Sequence, residues 1–219
     1  MIPISIETNL KSKCPSFRLG CIECEVSIQS ENVELWQVIH QKVVHQQATL
    51  SMSQIKDLPN IAAARKTYKT LGKDPSRYRL SSEALLRRIV NGKGLYKINN
   101  VVDALNLVSL STGFSIGGFD ADKIVGSIQI GIGQKGEPYE AIGRGRLNIE
   151  NLPILRDNLG AFGSPTSDSM RTRVQATAQR FFMVILDFGS SEDLNHTMQL
   201  AIQLLSDYAE AKAIKSWVV

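Results

Sequence analysis

The residues with the clearest chemical potential lie in a short polar segment, residues 160–172. Gly160 and Gly163 leave its backbone free to turn, and the small polar side chains that follow them are Ser164, Thr166, Ser167, Asp168 and Ser169. Such a segment can direct several hydroxyl and backbone N–H groups at one small ligand, and Arg171 can hold a phosphate or carboxylate in a fork. The alternative is a polar turn that only leads into the next strand, and both interpretations stay open.

A second segment, residues 99–124, combines a predicted helix with a glycine-rich corner. Asp103 and Asn106 stand three residues apart and therefore share one polar face of the helix. The corner consists of Gly117, Gly118, Phe119 and Asp120. Its glycines allow positive φ or close approach to a ligand, its phenylalanine offers a flat apolar surface, and its aspartate supplies an acid. By spacing alone, the plainer interpretation of a helix, its cap and a turn over the core is favoured.

Positive charge is concentrated between residues 65 and 97, which hold ten basic residues and two acids. This window carries a formal charge of +8, which leaves −4 for the rest of the chain. Tyr68, Tyr78 and Tyr96 are interleaved with the cations, a combination that suits a phosphate backbone with unpaired bases. A solvated helical face is the alternative. The predicted RNA-binding residues are Arg65, Lys66, Lys69, Lys73, Arg77, Arg79, Arg87 and Arg88.

The elements that must position these residues indicate an α+β fold, with a mixed, largely antiparallel sheet flanked by helices. Helices are predicted near residues 33–48, 61–72, 81–90, 100–112 and 190–209, the fourth capped by Asn100 and the fifth by residues 190–192. Strands are predicted at residues 2–7, 19–28, 127–132, 140–143, 152–162 and 172–188, and a turn at residues 133–136 makes the third and fourth a hairpin. The 219 residues are expected to form a single unit, and two interleaved subdomains are the alternative.

Several functional classes are disfavoured by composition. Three cysteines suit reduced thiols, and Cys21 and Cys24 would face opposite sides of a strand, so no zinc or other metal site is expected. The glycines between residues 131 and 145 lack the order of a nucleotide-binding loop, and no cofactor is expected. We expect a cytoplasmic protein without a membrane partner, because no apolar stretch is long enough to span a bilayer.

Residues 99–120 resemble the editing domain of the phenylalanyl-tRNA synthetase beta chain. That family runs Asn-Asn-Val-Val-Asp-x-Thr-Asn, then an apolar helix, then Met-His-Ala-Phe-Asp. The chain follows this pattern without a gap, and the identical positions are Asn99, Asn100, Val101, Val102, Asp103, Asn106, Phe119 and Asp120. It differs at two positions that line the amino-acid pocket in that family: Leu105 replaces Thr, and Gly117 replaces His. The family's acid for the tyrosine hydroxyl falls near Pro165 and Thr166, and neither is an acid.

The resemblance implies an aminoacyl-tRNA deacylase that hydrolyses the ester of a mischarged tRNA in trans, not a complete phenylalanine-tRNA ligase. Its partners would be the aminoacylated 3′ end of tRNA and the amino acid, with no DNA expected. The candidates for positioning the attacking water are Asn106, Asp120, Thr166 and Asp168. The expected pocket residues are Leu105, Gly117, Gly118, Phe119, Gly160, Gly163, Ser164, Ser167, Ser169 and Arg171.

Two alternatives to the deacylase are kept. A non-catalytic module that binds tRNA or an amino acid is favoured by the apolar Leu105 and by Gly117, since a roomier apolar pocket can bind without activating water. A small-molecule hydrolase unrelated to tRNA ranks last, because the chain has no nucleophile elbow, metal set or nucleotide loop.

Overall fold

A computed structural model describes residues 1–219, which form six α-helices and ten strands. The helices are α1 (Thr8–Lys13), α2 (Val33–Thr49), α3 (Pro59–Thr70), α4 (Ser81–Val90), α5 (Asn100–Thr112) and α6 (Leu194–Ala209). The strands are β1 (Ile4–Ile6), β2 (Arg18–Glu25), β3 (Ser115–Asp120), β4 (Ile128–Ile132), β5 (Glu140–Ala141), β6 (Gly145–Arg146), β7 (Pro153–Asp157), β8 (Gly160–Gly163), β9 (Arg180–Asp187) and β10 (Lys212–Val218). No helix is both long enough and apolar enough to cross a lipid bilayer.

The central layer is an antiparallel sheet of order β10-β2-β9-β3. Successive side chains of a strand point to opposite faces, and both faces of β9 are buried. Phe181, Met183 and Ile185 pack against α2, α5 and α6 in one apolar cluster. The alternate residues, such as Phe182 and Val184, pack against a second sheet. The continuous apolar run of β9 therefore follows from its position between two layers.

The second sheet has the order β1-β4-β7-β8, in which only β1 and β4 are parallel. Its buried residues, among them Ile130, Leu155 and Phe162, share a cluster with the central sheet. A third cluster joins α3 and α4 to the segment that contains β5 and β7, through residues such as Tyr68, Leu86 and Ile154. The backbone N–H of Ser81, at the start of α4, donates to the carbonyl of Pro165 at 2.7 Å, which places α4 beside the polar segment of residues 160–172.

The predicted α+β class and the mixed, largely antiparallel sheets are confirmed, but three strand assignments are wrong. Strand β4 does not pair with β5, because the buried Ile130 of β4 lies opposite Leu155 of β7, while β5 forms its own small hairpin with β6. The single strand predicted over residues 152–162 is two strands, because a turn after Asp157 reverses the chain. The strand predicted from residue 172 begins only at Arg180.

Two predicted helix caps are also wrong by a few residues. The side chain of Asn99, not Asn100, accepts the N–H of Val102 at 2.9 Å and caps α5. Asp193 caps α6 by accepting the N–H of Asn195 at 2.8 Å. In both cases the capping oxygen must lie just outside the first helical residue, a position that sequence spacing alone does not resolve.

Candidate active site

One cavity of about 700 Å³ brings together much of the predicted chemistry. Its walls come from α4, one residue of α5, the hairpin β5–β6 and the polar segment. The lining residues are Met52, Arg79, Ser81, Ala84, Leu85, Arg87, Arg88, Asn91, Lys93, Tyr96, Asn106, Ile142, Arg144, Thr166, Ser167 and Asp168. Three of the four candidates for water positioning, Asn106, Thr166 and Asp168, therefore share one cavity with basic side chains.

The helix α5 is fixed by the residues that precede Asn106. Asn100 is fully buried, accepts the N–H of Gln29 at 2.8 Å and donates to the carbonyls of Ser27 and Tyr208. Asp103 is also buried and accepts Trp36 Nε1–H at 2.8 Å, while burial raises the pKa of its carboxyl. These motif residues tie α5 to the chain around it, and Asn106 lies one turn further along. The side chain of Asn106 lines the cavity and makes no hydrogen bond within the protein.

Hydrogen bonds from several directions hold residues 164–169. The hydroxyl of Ser164 donates to the carbonyl of Ser167 at 2.8 Å and accepts its N–H at 3.1 Å. The hydroxyl of Tyr139 donates to the same carbonyl at 2.7 Å. Thr166 shares a buried hydrogen bond of 3.0 Å with the hydroxyl of Tyr68. The hydroxyls of Ser164 and Thr166 are thus already engaged, which favours a structural role for them.

Asp168 is the one acid that lines the cavity, and its pKa is strongly shifted. Its Oδ2 accepts the backbone N–H of Gly118 at 3.1 Å. Burial raises the pKa of Asp168 from 3.8 to about 7, although the hydrogen bond from Gly118 opposes part of this rise. A carboxyl that titrates near neutral pH in a cavity can accept or donate a proton at physiological pH.

The cavity rim is strongly basic and is organised around one buried acid. Glu83 is 1% exposed and its carboxylate contacts Arg65 and Arg87 at 2.8 Å and Arg79 at 3.9 Å. The three guanidinium groups carry more positive charge than the single carboxylate of Glu83 neutralises. Nε of Arg79 and Nε of Arg88 are buried and have no hydrogen-bond partner. The side chains of Arg79 and Arg87 are nevertheless 43% and 27% exposed, so the rim presents cations to an anionic ligand.

Most of the predicted pocket glycines and their neighbours lie in the core and do not line the cavity. A Cβ on Gly118 would come within 2.5 Å of Leu105 Cδ1, and one on Gly117 within 2.6 Å of Phe119 Cζ. Phe119 itself is fully buried, with its ring centroid 4.9 Å from that of Phe162. Both glycines are required by close packing, and neither has positive φ. Gly163 is likewise packed against Phe119.

The structure places the remaining candidates outside this cavity. Asp120 forms an ion pair with Lys123 at 3.3 Å and is not among the lining residues. Gly160, Ser169 and Arg171 line a separate cavity of about 260 Å³. There Arg171 is paired with the buried carboxylate of Asp157 at 2.8 Å, so the predicted fork is occupied by an internal partner.

The predicted RNA-binding residues divide into two groups. Arg79, Arg87 and Arg88 line the cavity, whereas Arg65, Lys66, Lys69, Lys73 and Arg77 do not. Lys73 is buried and donates to the carbonyls of Asn148 and Glu150, so its charge serves the fold. Sequence reasoning did not single out Arg144 or Ile142, which reach the cavity from the β5–β6 hairpin. Their only sequence signal is a basic residue between the glycines of a tight turn.

Comparisons with known proteins agree with this architecture. A family model described as the B3/4 domain matches residues 63–210, a range that includes every cavity residue except Met52. The chain is similar in structure to an N-terminal fragment of the phenylalanyl-tRNA synthetase beta-subunit from Pyrococcus horikoshii, with a TM-score of 0.53 and 14% identity. The similarity covers 99% of this chain and 54% of that fragment, so the chain spans about half of its length. At this identity the similarity shows a shared fold. No curated protein matches the chain.

Proposed function

This chain belongs to the B3/4 domain family, and from that premise we propose that it hydrolyses the ester of a mischarged aminoacyl-tRNA in trans. The observation that carries the proposal is the placement of Asp168. Its carboxyl has a pKa of about 7 and lies in a cavity whose rim is formed by several arginines. A proton acceptor for water and a binding surface for a polyanion thus lie together, as deacylation of a charged tRNA requires.

In the proposed reaction the ionised Asp168 takes a proton from a water molecule. The water oxygen attacks the ester carbonyl carbon, the bond from that carbon to the ribose oxygen breaks, and the ribose oxygen takes the proton from Asp168, which returns to its ionised form. The products are a free amino acid and an uncharged tRNA. Asn106 supplies an amide N–H that has no partner within the protein, and this donor stabilises the oxyanion. The N–H of Gly118 cannot take this role because it already binds Asp168.

The cationic rim supports binding of the tRNA end. Five basic residues line the cavity: Arg79, Arg87, Arg88, Lys93 and Arg144. Asp168 is the only acid among the lining residues. A concentrated cationic surface gains affinity for nucleic acid by releasing counterions, so binding should weaken as salt rises.

One observation favours the second candidate, a module that binds tRNA or an amino acid without turnover. The two positions that the family resemblance assigns to the amino-acid pocket are not open here. Leu105 is 7% exposed and Gly117 lies against the ring of Phe119. The side chain of a misattached amino acid would therefore have to bind elsewhere in the cavity. If the cavity has no place for that side chain, the protein would bind the tRNA end without hydrolysing the ester.

Deacylation assays separate the two candidates. The protein is incubated with a panel of mischarged tRNAs, including tyrosine attached to the phenylalanine tRNA, and release of labelled amino acid is followed. We expect hydrolysis by the wild type, its loss in Asp168→Asn, and its retention in Asp120→Asn, which alters an acid outside the cavity. Salt-sensitive tRNA binding without ester cleavage would support the binding module instead. The absence of cleavage, of tRNA binding and of amino-acid binding would exclude both candidates.

A further inference from the structure

The three tyrosines between residues 65 and 97 differ in how much of each side chain is exposed. Tyr68 is fully buried and its hydroxyl is bonded to Thr166. Tyr78 is partly covered by Lys73, whose Nζ lies 3.7 Å from the ring centroid. Tyr96 is 66% exposed and lines the cavity. Of the three, Tyr96 is the one that retains a large aromatic surface for a ligand.

The ring of Tyr96 is supported from one side only. The guanidinium carbon of Arg88 lies 3.8 Å from the ring centroid, within the range of a cation–π contact. Arg88 is itself held by α4 and by a hydrogen bond of 3.4 Å from Nη2 to the carbonyl of Lys93. This support restrains one face of the ring, and the high exposure of the side chain leaves the opposite face accessible.

The surroundings of Tyr96 combine apolar contact area with positive charge. Met52 is 39% exposed and Ile142 is 42% exposed, and both line the same cavity. Lys93 and Arg144 also line the cavity, and both side chains are exposed and positively charged. Apolar side chains beside a flat aromatic ring favour a planar ligand, whereas the cations favour phosphate. A nucleotide carries both groups.

We propose that Tyr96 is a stacking platform for the unpaired base at the 3′ end of a bound RNA, with Lys93 and Arg144 contacting the adjacent phosphates. This assignment rests on the proposed function for the identity of the ligand as RNA. It adds a specific residue and a specific part of the substrate: the terminal base stacks against the open face of Tyr96, opposite Arg88. A purine is the preferred base because it has the larger face to stack.

The test measures binding of two RNA hairpins by fluorescence anisotropy. Both carry the same single-stranded 3′ tail, but one ends in adenosine and the other in an abasic ribose. Wild type should bind the adenosine-ended hairpin about tenfold more tightly than Tyr96→Ala does, since loss of one base–aromatic stack has an effect of this order. Tyr96→Phe keeps the ring and should bind like wild type. The abasic hairpin should bind wild type and Tyr96→Ala equally.

Equal affinity of wild type and Tyr96→Ala for the adenosine-ended hairpin would overturn the assignment. The assignment would also fail if Tyr96→Ala weakened binding of the two hairpins by the same factor, because the effect would then not involve the base. Deacylation is scored separately on mischarged tRNA. Cleavage without a Tyr96 effect would reject the platform alone, and a Tyr96 effect without cleavage would reject the deacylase alone. Tyr96→Ala should fold normally because the side chain is largely exposed.

Discussion

Replacement of Asp168 by asparagine should make the protein more stable at pH 8, although it removes the proposed catalytic acid. Burial raises the pKa of Asp168 from 3.8 to about 7, which means that the folded protein disfavours the ionised carboxylate. The stabilising contribution of the neutral form is complete below pH 3.8, is lost progressively as the pH rises from there, and is gone above about pH 7. Asparagine keeps an oxygen that can accept the N–H of Gly118 and never acquires the charge.

The size of the effect follows from the same shift. A rise from 3.8 to about 7 corresponds to about 4 kcal/mol at high pH. Asp168 retains partial exposure in its cavity, and water there screens the charge, so we expect a gain of about 2 kcal/mol for Asp168→Asn. For a chain of 219 residues such a gain would raise the melting temperature by about 4–8 °C.

Urea unfolding of both proteins between pH 4 and pH 8 tests this reasoning. The two free energies of unfolding should nearly coincide at pH 4, diverge between pH 4 and about pH 7, and differ by a constant amount above that. The matched control is Asp120→Asn, which removes an ion pair with Lys123 and should lower stability at pH 8 by about 1 kcal/mol or less. If Asp168→Asn were less stable than wild type at pH 8, the cavity would stabilise the carboxylate, and the argument for a titrating acid would fail.

Three further predictions concern the same site and its support. The deacylation rate should rise with pH and level off above about pH 7, and a flat profile would argue against Asp168 as the base. Glu83→Gln should lower the free energy of unfolding by about 1–3 kcal/mol in urea titrations, because the partly buried guanidinium groups of Arg65 and Arg87 lose their carboxylate partner, whereas Glu31→Gln at an exposed pair should change it by less than about 1 kcal/mol. Gly118→Ala should cost about 1–3 kcal/mol in the same assay, because the new methyl group would meet Leu105, and a neutral result would mean that the core there is loosely packed.

The fold was predictable where burial imposes a strict pattern on the sequence. The apolar run from Phe181 to Leu186 identified β9 because both of its faces are covered. Strand β10 was missed because it lies at the sheet edge, and its exposed residues, with a bulge between Lys212 and Lys215, do not alternate. The partner of β4 was mistaken because tertiary packing against Leu155, and not the nearest turn, decides the pairing.

The site was predictable to the extent that side-chain chemistry needs specific residue types. Asn106 and Asp168 share a cavity as expected from the two segments, and Arg79 lies on its rim. The sequence did not distinguish Asp120 from Asp168 as a candidate acid. The ion pair between Asp120 and Lys123 is visible only in the structure. The glycines were assigned to a pocket for the right reason, close approach, but the group that approaches Gly118 is Leu105 rather than a ligand.

In the segment that resembles the synthetase family, residues 99–103 mainly fix the position of α5. Asn99 caps the helix, the side chain of Asn100 bonds to the backbone of residues 27–29 and of Tyr208, and Asp103 is bonded to Trp36; the three motif residues are buried. A match at these positions therefore predicts the fold, because the same contacts are needed whatever ligand binds. The proposed chemistry depends instead on the one polar side chain of this helix that lines the cavity, Asn106, and on an acid from a different segment, Asp168. Retention of the motif by a relative that lacks Asp168 would accordingly indicate the same architecture without hydrolysis.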